Sequence, residues 1–122
     1  MSEVIIYHNN RCGTSMNTLM MIRDAGIEPT VVEYMKDPPS AATLRALADR
    51  MGVPIRGLLR GKEPIYAEQD LGNPKWSDEE LLGQIERNPV LLNRPIVATE
   101  RGAALCRPAD KVLELLPPAP GA

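Results

Sequence analysis

The spacing of apolar positions changes several times along the chain, and each change marks an element. Residues 4–7 form a short apolar run that enters the turn-forming cluster His8-Asn9-Asn10, which predicts a buried first strand ending in a loop. Beyond that loop Leu19, Ile22 and Arg23 recur at helical spacing, with Ser15 as the expected N-cap and Gly26 as the C-terminal stop. Residues 30–34 are again β-branched, so a strand, helix, strand series predicts a parallel pair with a crossover.

After Pro38-Pro39-Ser40 the period is helical once more. Leu44, Leu47, Ala48 and Met51 share a face, and Gly52 closes the segment. Pro54 and Gly57 bound a short turn leading to Leu58-Leu59-Arg60, and residues 61–75 read as irregular and polar. Ser77 with Glu80 forms a capping-box pattern for a helix reaching about Arg87. Residues 96–99 and 103–106, joined by Glu100-Arg101-Gly102, predict an antiparallel hairpin, and residues 109–116 a last short helix before the tail PPAPGA, expected to be disordered.

The order β α β, helical insert, β β α predicts an α/β protein of thioredoxin-like fold, with a mixed four-stranded sheet and flanking helices. One domain is expected over residues 1–116, with a helical insert at about 38–90 and a Pro-rich tail at 117–122. A chain of 122 residues, 43% hydrophobic, is long enough to bury one core. It contains no Phe, so Leu, Ile, Val, Met and Ala must fill that core.

A formal net charge of -2 excludes the general basic excess of a nucleic-acid binder, so any anion site must be local. The N-terminus lacks a signal-peptide pattern and no apolar run is long enough to span a membrane, so a cytoplasmic protein without membrane contact is expected. Cys12 and Cys106 lie far apart and are expected to remain thiols. One histidine and two distant cysteines offer no metal-ligand spacing, so neither a metal nor a bound cofactor is expected.

The chemistry concentrates at Cys12. A thiol becomes a nucleophile on ionising, and a helix N-terminus favours the thiolate through its free amides and partial positive charge. Gly13, Thr14 and Ser15 can turn backbone N–H groups and two hydroxyls toward the sulfur or a bound oxyanion, and Arg11 adds a cation beside it. The competing reading of Cys12 is a buried structural thiol, against which its small, polar neighbours argue. Ser15 stands where a second cysteine would complete Cys-x-x-Cys, so an external thiol is needed for turnover. His8 has two open readings: a group that stabilises the thiolate or shuttles a proton, or a loop residue that orders Asn9 and Asn10. Cys106, in a short apolar strand, is expected to pack.

The string HNNRCGTSMNTL, with Arg60 in LLRGKEP, Arg94 in NPVLLNRPIV and Arg107 in LCRP, closely resembles the glutaredoxin-dependent arsenate reductase family, ArsC type. The resemblance spans nearly the whole chain. It implies that Cys12 attacks arsenate while Arg60, Arg94 and Arg107 hold the oxyanion and lower the thiol pKa. It further implies that glutathione, as co-substrate, attacks the arsenylated cysteine, and that glutaredoxin reduces the mixed disulfide as arsenite leaves. Arg94-Pro95 resembles the family's cis-proline position. A monomer is expected, with arsenate, glutathione and glutaredoxin as its partners.

Two features depart from the pattern. Met16 stands where many members carry an arginine, while Arg11 precedes the cysteine, so positive charge is relocated beside the site. The chain ends near residue 122, where many reductases continue into a charged segment that bears on partner docking. Two other functions compete with the reductase. One is a non-enzymatic regulator like the Spx proteins, which bind RNA polymerase and often carry the Cys-x-x-Cys absent here. The other is an ArsC-related, glutathione-dependent thiol reductase of another substrate, against which the three arginines argue.

Overall fold

The structure, a computed structural model, describes residues 3–117. The chain separates into two compact units, residues 1–37 with 94–122, and residues 38–93.

The first unit contains the sheet. Strands β1 (Ile5–His8), β2 (Thr30–Glu33), β3 (Ile96–Thr99) and β4 (Gly102–Leu105) lie in the order β2-β1-β3-β4 among the described residues. β1 runs parallel to β2 with Ile6 opposite Val31, and antiparallel to β3 with Ile6 opposite Val97. β3 and β4 form the expected hairpin, Thr99 facing Gly102 across the two-residue loop. Helix α1 (Gly13–Asp24) joins β1 to β2, and a 3-10 helix at Ala109–Glu114 follows β4.

Alternation along β1 and β3 turns Val4, Ile6 and Val97 to one face, where they cluster with Leu19 and Ile22 of α1 and with Cys106, Val112, Leu115 and Leu116. α1 and the 3-10 helix therefore cover the same face of the sheet. Their apolar burial, worth roughly 25 cal/mol per Å², fixes α1 over the end of β1.

Three sequence expectations need correction here. Ser15 does not cap α1: Cys12 is the N-cap, in extended conformation and without a side-chain cap, while Ser15 is fully buried two residues inside the helix. Its hydroxyl bonds to His8 and Asn9 instead of to helix amides. Residues 61–75 are not wholly irregular, for Pro64–Glu68 form a helical turn, α3, that buries no side chain and so leaves no apolar period in the sequence. The last helix is 3-10 in geometry and ends at Glu114. The Pro-rich tail from residue 118 lies outside the described residues.

The second unit carries two longer helices, which end at Gly52 and begin at the Ser77–Glu80 capping box as the sequence predicts. In α2 (Ala41–Met51), Ser40 Oγ accepts the Thr43 N–H and Gly52 closes the helix at φ 70°, in the left-handed region that favours glycine. Leu44, Leu47 and Ala48 are its buried face. In α4 (Asp78–Arg87), Ser77 Oγ accepts the Glu80 N–H at 3.1 Å and Glu80 accepts the Ser77 N–H at 3.0 Å. Among the described residues no helix is long and apolar enough to cross a membrane.

Both hydroxyl and carboxylate of the box are exposed, so the cap is a local contribution. Ser77→Ala is expected to lower stability by about 1 kcal/mol, read from the urea midpoint at unchanged slope.

Candidate active site

Register brings three chain segments to one end of the sheet. β1 ends at His8 and hands the chain to the loop that delivers Cys12. Antiparallel pairing sets Tyr7 against Ile96, so Arg94-Pro95 lies where β3 begins, beside the end of β1. Ile96 in turn faces Leu105, and Cys106 N–H bonds to Pro95 C=O at 2.9 Å, which carries Arg107 to the same end. Arg94–Pro95 and Arg107–Pro108 are both cis peptides.

Asn9 shapes the loop. Its C=O accepts the Cys12 N–H at 3.0 Å, its Oδ1 accepts the Arg11 N–H at 2.9 Å, and its Nδ2 donates to the Tyr34 hydroxyl at 3.2 Å. Its own N–H donates to Ser15 Oγ at 3.1 Å. Every hydrogen-bonding part of Asn9 thus fixes the turn that holds Cys12 at the helix end. From the sequence it reads only as a turn former; the available clue was an Asn three residues before a Cys that opens a helix.

Cys12 is half-buried, with Met16 N–H bonded to its C=O at 3.0 Å. Burial opposes its ionisation. The Ser15 N–H, the Arg107 and Arg94 guanidinium groups and the Thr14 N–H all donate to the sulfur, outweigh that penalty and hold the thiol pKa below its ordinary value. Arg107 Nη1 lies 3.7 Å from Sγ and also donates to Arg94 C=O at 3.1 Å, so one arginine is braced by the backbone of the other. Arg11, although adjacent in sequence, is exposed and is not among the groups that lower this pKa.

His8 is 2% exposed and meets Ser15 Oγ at 2.6 Å through Nδ1. The hydroxyl donates when the ring carries its proton on Nε2 and accepts when the proton is on Nδ1. Nε2 is buried without a hydrogen-bond partner among the described residues. His8 bonds to the side chain of the same residue, Ser15, whose backbone N–H serves the sulfur. Gly13 is exposed, and a Cβ there would meet nothing within 4 Å. Thr14 supplies its N–H to the sulfur and its C=O to Thr18 Oγ1 at 2.8 Å.

Cys106 has the opposite environment. It is fully buried in the core, and burial pushes its thiol up to about 12, with Lys111 lowering it and Glu114 raising it to a smaller extent. Arg60 lies in the second unit, where its N–H bonds to Leu91 C=O at 2.7 Å and its Nε is 3.7 Å from Glu63 Oε2. Among the described residues no group of three or more His, Cys, Asp and Glu side chains gathers as a metal site.

A thioredoxin-like sheet with one activated thiol at a helix N-terminus, and two guanidinium groups on its sulfur, defines a class of monothiol protein in which ionisation is built into the fold. This chain belongs to the ArsC family, whose family model matches residues 7–115. An arsenate reductase of Rhizobium meliloti (strain 1021) is 54% identical over 114 residues, 93% of this chain and 81% of that protein. An arsenate reductase of Escherichia coli is 49% identical over 119 residues, 98% of this chain and 84% of its own length. Among solved structures, an arsenate reductase from Vibrio cholerae superposes with a TM-score of 0.90 at 37% identity, covering 93% of this chain and 98% of that one.

The two thiols should separate by chemistry. Iodoacetamide at pH 8 is expected to label one site on the native protein, Cys12. Cys106 should remain unlabelled until urea exposes it, as peptide mapping by mass spectrometry reads directly.

Proposed function

We propose that this chain reduces arsenate to arsenite, with Cys12 as nucleophile and with glutathione and glutaredoxin as the source of electrons. The observation that carries the reading is the Cys12 sulfur held by helix amides and by Arg94 and Arg107, in a chain about half identical to arsenate reductases over nearly its whole length.

Arsenate near neutral pH is a tetrahedral anion, and guanidinium forks neutralise such oxygens with paired hydrogen bonds. Arg94 and Arg107 take that role beside the sulfur, with the backbone amides of Gly13, Thr14 and Ser15 completing the cradle. Arg60 joins them as an oxyanion ligand on the strength of the sequence match. His8 acts through Ser15 as a positioning residue.

The Cys12 thiolate forms an S–As bond while one arsenate hydroxyl, taking up a proton from solvent, departs as water. Glutathione then attacks the Cys12 sulfur. An S–S bond forms, the electron pair of the S–As bond stays with arsenic, and arsenic falls from the +5 to the +3 state and leaves as arsenite. A glutaredoxin thiolate takes the glutathionyl group from the mixed disulfide and restores Cys12. Ser15 in place of a second cysteine supports this external route, since no neighbouring thiol is available to resolve the disulfide. A monomer acting in the cytoplasm fits the reading, as does one thioredoxin-like domain over residues 1–116 with the helical unit inserted between β2 and β3.

Arsenate-dependent NADPH oxidation, coupled through glutathione reductase and glutaredoxin, tests the proposal. Wild type is expected to turn over and Cys12→Ser to be inactive. Arg94→Ala and Arg107→Ala should each reduce kcat/KM by about 100-fold, within the range for removing one charge-stabilising donor. A wild-type protein without arsenate-dependent oxidation contradicts the reductase reading.

A further inference from the structure

We propose that Arg11 is a specificity residue for the thiol co-substrate, a cation at the rim of the site that attracts the carboxylates of glutathione as it approaches the Cys12 sulfur. The inference deepens the reductase reading and rests on it for the identity of the thiol.

Arg11 is set apart from the other cations of the site. Arg94 and Arg107 donate to the sulfur, whereas Arg11 is exposed and is not among the groups that hold the thiol pKa down. Its backbone is nonetheless fixed, because the Arg11 N–H donates to Asn9 Oδ1 and the next residue's N–H to Asn9 C=O. Glu33 of β2 is engaged elsewhere: it accepts Asn10 Nδ2 at 2.7 Å and pairs with Lys36 at 4.0 Å. Among the described residues Arg11 forms no ion pair, so a rigid loop presents an uncompensated guanidinium one residue from the nucleophile.

Cys12 is half-buried, and Gly13 beside it is exposed. Gly13 does not have a positive φ, and apart from its chain neighbours nothing lies within 4 Å of the position a Cβ would fill. Glutathione carries two carboxylates and one ammonium, and its reactive form adds a thiolate. A positive rim raises its local concentration, an effect that salt weakens.

Two measurements test the assignment. In the coupled assay Arg11→Ala should raise the KM for glutathione about two- to five-fold, the range of an exposed ion pair, and Arg11→Glu about ten-fold. For the neutral variant Arg11→Ala, the KM for arsenate and the pH profile of Cys12 alkylation should move much less than the KM for glutathione. In the second measurement, mixed-disulfide formation at Cys12 is followed by intact mass with two symmetrical disulfides, anionic oxidised glutathione and cationic cystamine. Each transfers one half to Cys12 and releases the other as thiolate. Arg11→Glu is expected to slow the first reagent and accelerate the second.

Equal changes with both reagents, or none, overturn the proposal. A rise in arsenate KM that parallels the rise for glutathione also overturns it, by placing Arg11 on the oxyanion. If wild type lacks arsenate turnover, the reductase reading fails separately. The disulfide pair still decides whether Arg11 selects anionic thiols.

Discussion

Ionisation of Cys12 is the constraint around which the site is arranged. A thiolate that is half out of water needs donors fixed in place before it forms, because mobile donors would have to be ordered at each turnover. Here the donors are of two kinds. The Thr14 and Ser15 amides belong to a helix end and cannot rotate away, and the Arg107 guanidinium is braced against Arg94 C=O. Each kind also suits a bound oxyanion, so the groups that activate the nucleophile are the groups that would hold its substrate.

That arrangement depends on α1 beginning at the right residue, and the buried polar contacts beneath it set the start. His8 at the end of β1 and Asn9 beside it both bind the Ser15 hydroxyl, which pins the first turn of α1 to the sheet. Packing of Leu19 and Ile22 against Ile6 and Val97 holds the rest of the helix. A buried His8–Ser15 pair costs more to assemble than an apolar one, and it leaves Nε2 without a partner. Such a cost is typical of groups retained for placement, and what is placed here is the amide that faces the sulfur.

Much of the frame was legible in the sequence because its signals are local. Ser40 with Gly52, and Ser77 with Glu80, mark helix ends through hydrogen bonds spanning three or four residues. The β-branched runs marked β1 and β2 for the same reason. Ser15 misled for an instructive reason: its residue type favours a cap, yet long-range bonds to His8 and Asn9 claim its hydroxyl. α3 escaped because it buries nothing, so no period betrays it. Arg94 and Arg107 could not be selected from ten arginines by local pattern at all. What brings them to Cys12 is the pairing of β3 with β1 on one side and β4 on the other; the hairpin was legible in the local pattern, the β1–β3 pairing was not, and only the family resemblance singled out the two arginines.

The account turns on donors that stabilise a thiolate, and titration of that thiolate tests it most directly. Absorbance near 240 nm is followed against pH for the wild type, with Cys12→Ser as the blank and Arg107→Ala as the comparison. The account predicts a wild-type midpoint below the ordinary thiol value of about 8.5, and a higher midpoint in Arg107→Ala. A wild-type midpoint at or above the ordinary value, unchanged by loss of Arg107, would contradict it.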